Sequence, residues 1–164
     1  MNLFPQEVID KAEWVIRLLI KKEMMTATAE SCTGGLIAAA LTEVSGSSAV
    51  VDRGFVTYSN DAKMDMLGVQ AETLKRFGAV SEQTACEMAK GALSHSKAQI
   101  AIAVTGIAGP GGGSAEKPVG LVHLAVASQD GRLAHREMLY GDIGRDKVRM
   151  ATVATALDMI LDLA

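Results

Sequence analysis

The stretch TAESCTGG, residues 28–35, joins two kinds of sequence. Before it, residues 25–29 form a short apolar run that fits a buried strand. After it, residues 36–44 read as a helix that stops near Gly46. Between them stand a carboxylate (Glu30), two hydroxyls (Ser31 and Thr33), a thiol (Cys32) and two glycines. A strand that passes through a tight polar turn into a helix is a building unit of layered α/β domains.

The same alternation extends outward in both directions. Upstream, Val8, Ala12, Val15, Ile16 and Leu19 recur at helical spacing over 6–22, and Pro5 suits a first turn. Downstream, residues 55–58 are β-prone, and Asn60 is placed to cap a helix that runs through Leu67 to Gly68. Residues 71–77 and 82–94 also read as helices, the second capped by Ser81. Strands are expected over 100–105 and 119–127. An Asp130-Gly131 turn then returns a hairpin strand over 133–140. A final helix starts near Arg145, with a stripe at Met150, Val153, Leu157, Ile160 and Leu161. This order predicts a layered α/β domain with a mixed, mostly parallel sheet.

If the first three strands are parallel and the fourth is antiparallel, the carboxyl ends near Ala29, Tyr58, Thr105 and Tyr140 share one edge. Ligands in open α/β sheets bind at that edge. Ser31, Lys63, Thr105 and Arg145 all fall just beyond those strand ends.

A chain of 164 residues is expected to form one domain, spanning 1–164. Aromatics are only 4%, so the core must be built from Ala, Val, Leu, Ile and the nine Met. A net charge of −3 argues against a nucleic-acid partner held through phosphates. No apolar run reaches the roughly 18 residues that would span a bilayer, and the N-terminus lacks the pattern of a secretory signal. Two cysteines, Cys32 and Cys86, make neither a disulfide framework nor a zinc motif. The expectation is a reduced, cytoplasmic protein without a structural metal.

Two readings of Ser31 stand side by side. It could cap the following helix, as could Thr33, although no Glu or Gln follows three residues on to complete a capping box. The same position would expose a nucleophile beside the free N–H groups of Thr33, Gly34 and Gly35, which suit an oxyanion or a phosphate. A serine nucleophile needs a base. His95, His123 and His135 have no partner spacing. Lys63 sits in the first turn of a helix, where a cation opposes the helix dipole, and a desolvated lysine there would have the depressed pKa a base requires. Cys32 is a rival nucleophile or a small buried residue. Glu30 orients the turn or pairs with a basic group.

The glycine-rich segment VTGIAGPGGGSAEKPVG, residues 104–120, follows a strand. It is neither a Walker A loop nor a Rossmann fingerprint. It reads as a hairpin loop, or as a loop whose backbone, at Gly106 and Gly109 among others, wraps a polar ligand. Thr105 could donate to that ligand. Arg145, Lys147 and Arg149 read as a solvated charged face, with Arg145 raised as an anion ligand by its place at the edge.

In combination, TAESCTGG, SGSSAVVDRGFVTYSNDAKMDMLGV, GAVSEQTACEMAKGAL and AVTGIAGPGGGSAEKPVGLVHLA resemble, in order, the CinA C-terminal domain family. The resemblance covers nearly the whole chain, which looks like a stand-alone member without the larger N-terminal domain of full-length CinA proteins. It implies a three-layer α/β/α sandwich and the family's activity, hydrolysis of nicotinamide mononucleotide to nicotinate mononucleotide and ammonia. It implies Ser31 as nucleophile and Lys63 as base, with Tyr58 and Thr105 as further catalytic residues and Asn60 and Arg145 at substrate-binding positions. Glu30, Thr33, Gly34, Gly106 and Gly109 are then expected to help bind substrate. The expected partner is a small nucleotide, with no cofactor, nucleic acid or membrane, and the chain is expected to form a homo-oligomer such as a dimer. A nucleotide-binding module without catalysis and a Cys32-dependent hydrolase are the alternatives.

Overall fold

In the computed structural model, which describes residues 2–164, six α-helices and five strands follow one another, with a short 3-10 turn at Ser47–Ala49 before the second strand. They are α1 (Gln6–Lys21), β1 (Thr26–Glu30), α2 (Leu36–Thr42), β2 (Val51–Val56), α3 (Asn60–Leu67), α4 (Ala71–Phe77), α5 (Glu82–Ser94), β3 (Ile100–Gly106), β4 (Leu121–Ser128), β5 (Leu133–Leu139) and α6 (Arg145–Leu163). One sheet holds the strands in the order β2-β1-β3-β4-β5. Strand β1 is parallel to both β2 and β3, whereas β4 is antiparallel to β3 and to β5. The carboxyl ends of β1, β2, β3 and β5 therefore lie at one edge.

Side chains alternate across a strand, and β3 shows what that does here. Its large residues Ile100, Ile102 and Val104 join Leu19, Ile37 and Val153 in a core beneath α1, α2 and α6. Its small residues Ala101 and Ala103 join Leu67 of α3 and Ala85, Met88 and Ala89 of α5 in a second core. The sheet is covered on both faces, so the architecture is a three-layer α/β/α sandwich. Double coverage also explains why β3 and β4 read as near-continuous apolar runs. Each fully buried Leu or Ile contributes roughly 1.5–3 kcal/mol.

Helix α3 comes close to α5 at one point. A Cβ on Gly91 would overlap the Leu67 carbonyl oxygen. The missing side chain lets α3, and with it Lys63, settle against the sheet.

Several boundaries differ from the sequence reading. Strand β2 begins at Val51 and ends at Val56, rather than occupying 55–58. It is an edge strand with exposed Arg53 and Gly54, so it lacks an apolar signature. Ser59, not Asn60, caps α3, accepting from the Ala62 N–H at 3.0 Å. Strand β4 starts at Leu121, because residues 118–121 form a turn closed by the Leu121 N–H on the Pro118 carbonyl at 3.1 Å.

Candidate active site

The turn after β1 is organised by Glu30. This residue is fully buried, and its carboxylate accepts from Thr33 Oγ1 at 2.6 Å, the Ile37 N–H at 2.8 Å and the Ala38 N–H at 3.1 Å. Two otherwise orphaned donors of α2 are thus satisfied, and a negative charge sits at the positive end of that helix. Neither Ser31 nor Thr33 is the cap. Capping arrives from the preceding strand, which no capping-box spacing describes. Gly34, at φ +57°, and Gly35, at φ +104°, supply the left-handed turn that carries the chain from β1 into α2.

Glu30 and Thr33 are spent on each other and on α2, and the Gly34 N–H bonds the Ser31 carbonyl at 3.0 Å. Glu30, Gly34 and Gly109 do not line the cavity described below, and only the side chain of Thr33 is engaged. The N–H groups of Cys32 and Thr33 donate to no other residue among those described.

Ser31 is thereby released from capping, and its hydroxyl meets Lys63. The Lys63 Nζ stands 3.0 Å from Ser31 Oγ and donates to the Thr57 carbonyl at 2.8 Å. Only 1% of Lys63 is exposed, and among the described residues no carboxylate lies within ion-pair reach of it. Burial without a counter-charge lowers its pKa below that of an ordinary lysine. Cys32 experiences the opposite shift. Burial pushes its thiol up to about 11, so it stays protonated near neutral pH.

Ser31, Lys63, Asn60, Thr105, Gly106 and Arg145 share the wall of a cavity of about 220 Å3 at the carboxyl edge. Arg145, the first residue of α6, donates to the Gly109 carbonyl at 2.9 Å and to the Tyr58 hydroxyl at 3.0 Å. It bridges the glycine-rich loop to the segment that leads into α3, over a Tyr58 that is 63% exposed. Thr105 Oγ1 donates to the Ala79 carbonyl at 2.8 Å, which commits its proton to the cavity wall. This contact anchors residues 79–80, which line the cavity together with Thr105. A larger, shallower depression of about 830 Å3 lies between the glycine-rich loop and the end of β5, and Asp142 is its only ionisable lining residue.

The sequence places Arg149 on a solvated charged face. It is half-buried and donates through Nε to the Cys32 carbonyl at 3.1 Å and through Nη2 to the Thr33 carbonyl at 3.2 Å. Its spacing from Arg145, one helical turn, was the available signal. The histidines lie apart from the dyad. His123 Nδ1 and His135 Nε2 are 2.9 Å apart on β4 and β5, and His95 bonds within the end of α5. Among the described residues there is no cluster of three or more His, Cys, Asp or Glu that could hold a metal ion. No helix there is long and apolar enough to cross a membrane.

Fold and site together define an α/β protein with a serine–lysine pair at the carboxyl edge of its sheet. The chain belongs to the CinA C-terminal domain family, which residues 9–164 match. It is 48% identical over 155 residues to the nicotinamide-nucleotide amidohydrolase PncC of Escherichia coli K12, covering 94% of this chain and 93% of that protein. It is 52% identical over 148 residues to a competence-damage inducible protein of Caldicellulosiruptor bescii, covering 90% of this chain but only 36% of that longer relative. Among solved structures, the competence/damage inducible protein CihA from Agrobacterium tumefaciens superposes with a TM-score of 0.98 at 64% identity, over 99% of both chains.

Proposed function

We propose that this chain is an amidohydrolase that converts nicotinamide mononucleotide to nicotinate mononucleotide and ammonia. The observation that carries the reading is the 3.0 Å approach of a buried, carboxylate-free Lys63 to Ser31. The relative that matches over nearly its full length is named for the same reaction.

Neutral Lys63 accepts the Ser31 hydroxyl proton as Oγ attacks the carboxamide carbon. The carbonyl π electrons move onto oxygen. Collapse of this adduct breaks the C–N bond, and the Lys63 ammonium returns its proton to the departing ammonia. Lys63 next deprotonates a water that attacks the acyl-serine. Collapse of the second adduct frees the nicotinate carboxylate and reprotonates Ser31. The Thr57 carbonyl keeps Nζ aimed at Ser31 throughout. Arg145 spends two of its five N–H donors on protein and supplies the cation for the phosphate.

Ammonia release from nicotinamide mononucleotide tests the reading, with S31A and K63A assayed beside the parent. Turnover by the parent and loss in both folded variants is the expected result. Full activity in S31A would remove the nucleophile, and no turnover by the folded parent would favour a nucleotide-binding module.

A further inference from the structure

Arg149 and Lys63 reach the Ser31 turn from opposite layers of the sandwich. Lys63 comes from α3, beside the α5 core, and Arg149 comes from α6, beside α1 and α2. Among the described residues, the protein partners of the guanidinium are the carbonyls of Cys32 and Thr33, and no ion pair includes it. Half-burying an arginine without a carboxylate costs desolvation and side-chain freedom. Two main-chain carbonyls are an unusual return for that cost unless their orientation matters.

In a trans peptide the C=O and N–H point in opposite directions. Drawing the Cys32 carbonyl toward α6 therefore turns the Thr33 N–H away from α6, toward the layer that holds Lys63. That N–H has no protein acceptor among the described residues. A cation on the carbonyl oxygen also polarises the same amide and strengthens its N–H as a donor. Gly34 leaves room for this contact, since a Cβ there would stand 3.4 Å from Arg149 Nη2.

We infer that Arg149 is a positioning residue for the hydrolysis: its fork on the Cys32 and Thr33 carbonyls holds the Thr33 N–H where the tetrahedral oxyanion forms. The inference rests on Ser31 being the nucleophile. It assigns Arg149 no contact with substrate.

The test compares R149M and R149K with the parent and with S31A in steady-state ammonia release, alongside thermal melts. Losing a well-aimed oxyanion donor costs about 100-fold or more in kcat. The expected result for R149M is a kcat loss of roughly 10- to 100-fold with KM held. R149K, which keeps the charge but not the fork, should fall between R149M and the parent. Guanidinium added to R149A should restore part of kcat. Unchanged kcat in folded R149M or R149K would overturn the inference, as would parallel loss of kcat, KM and melting temperature without rescue. S31A separates the two claims: if S31A is fully active the nucleophile reading fails, whereas an inactive S31A beside a fully active R149M sinks only the role of Arg149.

Discussion

Lys63 Nζ lies 3.0 Å from Ser31 Oγ, across 32 residues of sequence, with no carboxylate to hold its charge. A lysine so placed is easier to deprotonate than one in water. The expected pH–rate profile follows from the sign of that shift. The base works uncharged, so kcat/KM rises with pH through the Lys63 pKa and levels above it. Burial puts this ascending limb below the ordinary lysine value of about 10.4. A profile from pH 5 to about 11 checks it. A limb that still climbs at the ordinary lysine value would contradict the assignment.

Glu30 should govern stability rather than binding. E30A strands the buried Ile37 N–H, the half-buried Ala38 N–H and the Thr33 hydroxyl, and removes the charge at the start of α2. The expected loss is about 3 kcal/mol. For a domain of this size that lowers Tm by roughly 6–12 °C. Calorimetry of E30A against E30Q measures it, and E30Q, keeping one acceptor oxygen, should lose less.

Cys32 sits beside the nucleophile without being one. At a thiol pKa of about 11, roughly one molecule in a thousand is thiolate at pH 8. C32A should keep the parent kcat/KM, and iodoacetamide at pH 8 should leave activity intact. Abolished turnover in C32A with S31A still active would transfer the reaction to sulfur.

Gly91 is far from Ser31 in sequence, yet it sets how deeply α3 sits. G91A must push Leu67 and its helix outward. Overpacking of this kind costs about 1–3 kcal/mol. The expected outcome is a lower Tm together with a lower kcat, because Lys63 travels with α3. A G91A protein of unchanged kcat would show that α3 absorbs the bulk without moving its lysine.

Much of the architecture was legible because its signals were local. The apolar runs of β1 and β3, the Asp130-Gly131 turn and the stripe on α6 each lie within one window of sequence. Strand β2 was misread because an edge strand carries Asp52 and Arg53 where a central one would carry Val or Ile. At the site, Ser31 and Lys63 were reached by supposing a shared sheet edge and by family resemblance. The role of Glu30 was hidden because a carboxylate at a strand end reaches donors seven and eight residues later, outside any capping pattern. Arg149 was hidden for a related reason. A side chain that binds main-chain carbonyls over a hundred residues away leaves no residue-type signature at its target.

The two cores have different grain. Beneath α1, α2 and α6 the contacts are made by Ile, Leu and Val, and beneath α5 they are made chiefly by alanine. A saturation library should therefore divide along the plane of the sheet. On the branched side, truncation opens voids and enlargement finds some slack. On the alanine side, truncation has almost nothing to remove, and every added methyl wedges two layers apart. Selection acting on this chain would move freely in volume on one side and hardly at all on the other, and the side denied that freedom is the one that carries the lysine.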